Sequence, residues 1–148
     1  MPATSHDRIR DLGLLLLRLG VGLGFVFFHG WDKLSGGPER WTAVGGAVAH
    51  IGIGFGHAWF GALAAFSESV GALLLALGLL FRPAAALLFC TMILATIQHV
   101  ATGQGTPAHA FKNAWVFLGL MLIGPGRWSI DAWIRGWWWR GGREYGRT

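Results

Sequence analysis

The sequence predicts an all-α membrane protein: a four-helix transmembrane bundle, with a short interfacial helix in the first outer loop and an interfacial Trp/Arg-rich C-terminal segment. Three observations carry this. Of the 148 residues, 53% are apolar and 13% charged, the latter about half the usual share. Four long apolar runs are each bounded by charged or turn-forming residues. Nine tryptophans suit a chain that meets the boundary between membrane and water repeatedly.

The first span is Leu12 to Trp31, which holds Arg18 as its only full charge. At about 1.5 Å per residue such a helix reaches across a ~30 Å hydrocarbon core. Arg18, Gly22, Phe25 and His29 recur at steps of four, three and four, so they share one helical face. An arginine facing lipid costs at least ~2.5 kcal/mol, so that face must turn toward other helices. Gly20 and Gly24, with Gly22 between them, offer close packing. Gly36, Gly37 and Pro38 close the span. The following stretch, Trp41 to Ala58, is uncharged but broken by five glycines. Glycine costs about 1 kcal/mol in a helix interior, so a short surface helix from Pro38 to His50 and a loop are expected there, not a fifth span.

The second span, Trp59 to Phe81, contains Glu68 and ends at Arg82 and Pro83. The third, Ala84 to Ala101, carries Gln98 and His99 at its far end. The fourth runs from Pro107 to Gly124, where Thr106 can cap and Pro107 fits the first turn. Residues 1–131 are read as the membrane domain and 132–148 as an interfacial tail. Four spans put Arg8, Arg10, Arg82, Arg127, Arg135, Arg140, Arg143 and Arg147 on one side, against Lys33, Arg40 and Lys112 on the other. That bias makes both termini cytoplasmic. It also accounts for the net charge of +5 without nucleic acid as a partner. The first apolar run is too long for a signal peptide and is expected to remain as an anchor.

Several polar residues distant in sequence then fall at related depths. His29, His99, Lys112 and Asn113 lie near the outer ends of their spans. Glu68 lies roughly 13 Å down and Arg18 about 16 Å below His29. Intramembrane ionisable groups default to a functional hypothesis. Glu68, His29 and His99 are therefore the candidate catalytic residues, lining one outward-facing pocket. Arg18, Lys112 and Asn113 are candidate substrate contacts. Arg18 also needs a buried acid, either Glu68 or Asp131, with Glu68 slightly favoured. No metal-ligand pattern appears, and the lone Cys90 excludes any cysteine-pair redox chemistry.

Four stretches make the chain similar to the DoxX family of small bacterial membrane proteins. They are LLLRLGVGLGFVFFHGWDKL (15–34), SESVGALLLALGLLFRPAAALL (67–88), QHVATGQG with KNAW (98–105 and 112–115), and GPGRWSID (124–131). The resemblance implies a four-helix bundle in the bacterial inner membrane and a part in redox or sulfur metabolism. Its typical positions here are Arg18, His29, Lys33, Glu68, His99 and Asp131, with Arg18, Lys33 and Asp131 taken as structural. It implies a subunit of a quinone-linked oxidoreductase, with quinone the expected cofactor, none held covalently, and a protein partner or larger membrane complex supplying the redox centre. The alternative is a non-catalytic membrane subunit that anchors or stabilises such a complex.

Overall fold

A computed structural model describes residues 5–136, and among them there is no strand. Helix α1 spans His6–Ser35 and is continuous. It contains one π-helical turn at Val26–Gly30. Helix α2, Gly37–Gly45, runs into a 3₁₀ turn at Gly46–Ile51. Helix α3, His57–Leu77, carries a second π turn at Ser67–Gly71. Helices α4, Phe81–Thr102, and α5, Pro107–Ile123, follow, and residues 130–136 are again helical.

Helices α1, α3 and α4, at 30, 21 and 22 residues, are long and apolar enough to cross a membrane. Helix α5 has 17 residues, about 25 Å at 1.5 Å per residue, short of a ~30 Å core. Phe25, Leu75, Phe81, Leu88, Phe117 and Leu120 fill the interior where these four helices meet. Phe25 and Phe117 meet edge to face at 5.0 Å between ring centroids, joining α1 to α5. Phe27, Phe28 and Trp59 are 71%, 81% and 81% exposed. Such surfaces belong against lipid, and the molecule is a membrane protein.

The stripe read from the sequence does face inward: Arg18, Gly22 and Phe25 are buried and His29 is half-buried. Close helix packing, however, uses different glycines from those expected. A β-carbon at Gly20 or Gly24 would meet nothing within 4 Å. One at Gly22 would lie 2.7 Å from the Ala72 carbonyl, and one at Gly30 would collide with the Glu68 backbone. The two π turns therefore lie against each other, backbone on backbone.

The boundary between the second and third spans also falls elsewhere. Arg82 and Pro83 do not end α3 but lie in the first turn of α4, where proline's missing N–H costs nothing. The break is at Gly78 and Leu80, both in the left-handed region. Leu80 has no side-chain oxygen to cap α4, and Asp131 does so from fifty residues away. Its two carboxylate oxygens accept the backbone N–H groups of Leu80 and Phe81, each at 2.9 Å. Losing such a cap costs about 1 kcal/mol. Asp131→Ala should therefore lower the thermal unfolding midpoint of the detergent-solubilised protein modestly, and Asp131→Asn should recover part of the loss. An unchanged midpoint in the alanine variant would remove the capping role.

Candidate functional site

Arg18 has carbonyl partners where an acid was expected. Its guanidinium donates to the Pro125 carbonyl at 2.5 Å and to that of Trp128. Two backbone oxygens of the segment after α5 thus surround the charge, and the arginine is 3% exposed. The N–H of Asp131 donates to the Gly78 carbonyl at 2.9 Å. The N–H of Arg127 donates to the Asp11 carboxylate at 3.2 Å. Together these contacts fasten residues 125–131 under the bundle and give the Arg18 Nη groups partners without Glu68, while Nε is buried without a partner among the described residues.

Glu68 is paired with Lys33. The Lys33 ammonium lies 2.6 Å from both carboxylate oxygens, and the Glu68 side chain is 2% exposed. Lys33 stands one further four-residue step along the Arg18–Gly22–Phe25–His29 series, so the signal was present in the sequence. An ideal α-stripe stops being a guide at Val26, because a π turn closes i to i+5 and adds a residue to the turn. Past that point α1 presents Lys33 to α3. Trp41 of α2 donates its indole N–H to the Lys33 carbonyl at 2.9 Å, holding this end of α1 in place.

The pair lies in the wall of a cavity of about 480 Å³ between α3 and α4, covered by α2. Val44, Val48, Phe60 and Leu94 give it apolar sides, and Gln98 and His99 supply polar groups. The Gln98 amide oxygen is buried without a hydrogen-bond partner among the described residues. His99 Nδ1 lies 2.8 Å from the Gln104 carbonyl. A carbonyl can only accept, so Nδ1 carries a proton, and Nε2 is the nitrogen that can accept in the uncharged tautomer. Gly105 makes this possible: at φ +80°, it brings the loop onto the imidazole, where a β-carbon would lie 2.5 Å from the ring. The lone Cys90 also lines the cavity.

The three candidate catalytic residues are therefore not all together. Glu68 and His99 line one cavity, and His29 does not. The His29 ring packs 5.0 Å from Phe25 and 5.3 Å from His109 of α5. Asn113 bonds back to His109 on its own helix at 3.1 and 3.0 Å. Lys112 is exposed. Neither Lys112 nor Asn113 reaches the cavity, because both lie on α5 and the cavity opens between α3 and α4. Lys33, Gln98 and Arg40 are cavity-lining polar residues that were not assigned to the pocket from the sequence. Among the described residues no group of three or more His, Cys, Asp or Glu side chains could hold a metal ion.

A family model, DoxX, matches residues 13–101, more than half of the chain. This chain belongs to the DoxX family. The match takes in α1 to α4 almost whole, and with them Lys33, Glu68 and His99. Helix α5 and the Arg18-binding segment 125–128 of this DoxX protein lie beyond it. No curated protein and no solved structure matches the chain.

Proposed function

We propose that this DoxX protein is a four-span protein of the bacterial inner membrane, with both termini cytoplasmic, whose α3–α4 cavity receives the headgroup of a quinone. It serves as the membrane subunit of a redox complex whose partner supplies the electrons. The observation that carries this reading is the Lys33–Glu68 pair, its carboxylate buried, in the same largely apolar cavity wall as His99. A quinone headgroup needs a donor for each ring oxygen and, on reduction, a proton source. The Lys33 ammonium is a donor, Glu68 and His99 Nε2 are acceptors for quinol hydroxyls, and proton transfer requires groups within hydrogen-bond reach of the ring. Arg18 and Asp131 have structural work at the other end of the bundle. His29, Lys112 and Asn113 stand outside the cavity.

A second reading has its own support. Both Glu68 oxygens are already occupied by Lys33, as expected of a pair that only holds α1 to α3 in a non-catalytic anchoring subunit. Glu68→Gln separates the two. With a functional site, the variant stays folded in the membrane at normal abundance but loses the quinone that copurifies with the wild type. With an anchoring role, abundance falls and no quinone copurifies with either protein. Stable, quinone-loaded Glu68→Gln protein would defeat both.

A further inference from the structure

The opposite end of the molecule carries a second cavity, of about 440 Å³. Its walls are the start of α1, the α3–α4 turn, the end of α5 and residues 130–136. Four arginines line it, Arg10, Arg82, Arg127 and Arg135, together with the two aspartates Asp11 and Asp131. The aspartates are engaged with backbone N–H groups: Asp11 with that of Arg127, Asp131 with those of Leu80 and Phe81. The salt bridges among the described residues are Lys33–Glu68 and Arg40–Asp32, and neither involves these arginines. Four exposed arginines thus line one recess, and among the described residues none has a carboxylate within 4 Å. Like charges gathered at one recess repel, and an anion placed among them relieves the repulsion. Guanidinium forks match phosphate oxygens in pairs.

The surroundings choose the kind of anion. Leu80 and Ile123 line the recess and are exposed, and so are Ile9, Trp128 and Trp133, which adjoin its lining residues Arg10, Arg127 and Ala132 in sequence. A ligand with a phosphate head in the recess and hydrocarbon chains along these side chains would cover both. Trp128 and Trp133 also mark this end as lying at interfacial depth. Basic recesses between helices at such a surface suit anionic lipid headgroups.

We infer that the Arg10–Arg82–Arg127–Arg135 recess is a binding site for the phosphodiester headgroup of an anionic phospholipid. It is separate from the α3–α4 cavity and does not depend on what that cavity binds. The site grips the α3–α4 turn, the α1 start and the segment after α5 at once. Lipid bound there stabilises the same end that Arg18 and Asp131 hold together.

Thermal unfolding of the full-length protein in a neutral detergent tests this, with phosphatidylglycerol, phosphatidylcholine or inorganic phosphate added. Phosphatidylglycerol is expected to raise the midpoint saturably, and the other two to leave it unchanged. Arg82→Gln with Arg127→Gln should raise the half-saturating lipid concentration about twenty-five-fold, at roughly fivefold for each arginine lost. Arg8→Gln, at the same end but outside the recess, should change it by no more than about twofold, as expected of a screened surface charge. If the first double variant does not fold, Arg10→Gln with Arg135→Gln serves instead. Equal shifts from phosphatidylcholine and phosphatidylglycerol would overturn the site, and so would an Arg8→Gln effect as large as that of the recess pair. A full shift from inorganic phosphate alone would assign the recess to free phosphate and overturn the lipid.

Discussion

Replacing Lys33 by methionine is expected to destabilise the protein by about 3–5 kcal/mol, the usual cost of removing one partner of a buried ion pair. The Glu68 side chain is 2% exposed and has both oxygens on the Lys33 ammonium. Without that ammonium a carboxylate is left in a nearly dry site between α1 and α3. Adding Glu68→Gln to Lys33→Met should recover most of the loss, because a neutral amide costs far less to bury than a charge. The check is a double-mutant cycle on unfolding midpoints in detergent. A Lys33→Met variant as stable as the wild type, or a double variant worse than the sum of its parts, would rule out the pair as the link between the two helices.

The second large effect belongs to Gly30. Its α-carbon faces the Glu68 carbonyl and the Ser69 α-carbon so closely that even a methyl group has nowhere to go. The obstacle is backbone, which cannot rotate aside as a side chain would, so α1 and α3 must separate along their π turns. Gly30→Ala is expected to cost about 3 kcal/mol, the upper end of the overpacking range. It should also disturb the Lys33–Glu68 contact three residues on. Gly24→Ala is the matched control. A β-carbon there meets nothing within 4 Å, and alanine is the better helix former by about 1 kcal/mol. Unfolding midpoints and membrane abundance of the two variants should therefore diverge. Equal behaviour would mean that the π turns are not in contact.

What the sequence made legible follows from which features depend on ordinary helix geometry. Hydropathy alone located α1, α3, α4 and α5, and the step of three and four residues turned Arg18, Gly22 and Phe25 inward correctly. Pro38 and the glycines after Trp41 marked α2 as a short helix, and it packs where a loop segment can cover a cavity. The errors cluster where geometry departs from an ideal helix. His29 lies inside the π turn at Val26–Gly30 and packs against His109, outside the cavity, and no propensity scale announces a π turn.

Arg18 illustrates a different limit. The cost of a buried guanidinium is readable from sequence, but it is carbonyl oxygens of Pro125 and Trp128 that take its two Nη groups, and every residue has a carbonyl. Only the fold reveals which ones are near. Asp131 was placed among the structural residues by resemblance. Its actual work, capping a helix that begins after Leu80, depends on a chain reversal after Gly126 that local sequence does not specify. Gln98, the cavity residue with a buried unpartnered oxygen, stands next to His99 in the motif and was passed over because it carries no charge. Residues 137–148, with most of the Trp/Arg-rich tail expected at the interface, lie outside the described residues.

The native Cys90 offers the most direct measurement of the central claim, since this single thiol lines the same cavity as Lys33, Glu68 and His99. Cys90 is exposed as well as cavity-lining, so the fraction of its maleimide labelling rate that a ligand suppresses in the reconstituted full-length protein reports whether the cavity is occupied. A fully substituted short-chain benzoquinone, which lacks a ring position for thiol addition, should slow labelling saturably. An alkane of matching tail length should not. The protection should disappear in Glu68→Gln while the labelling rate without quinone stays the same. Labelling at one rate with and without quinone, or protection by the alkane as strong as by the quinone, would contradict a headgroup site in this cavity.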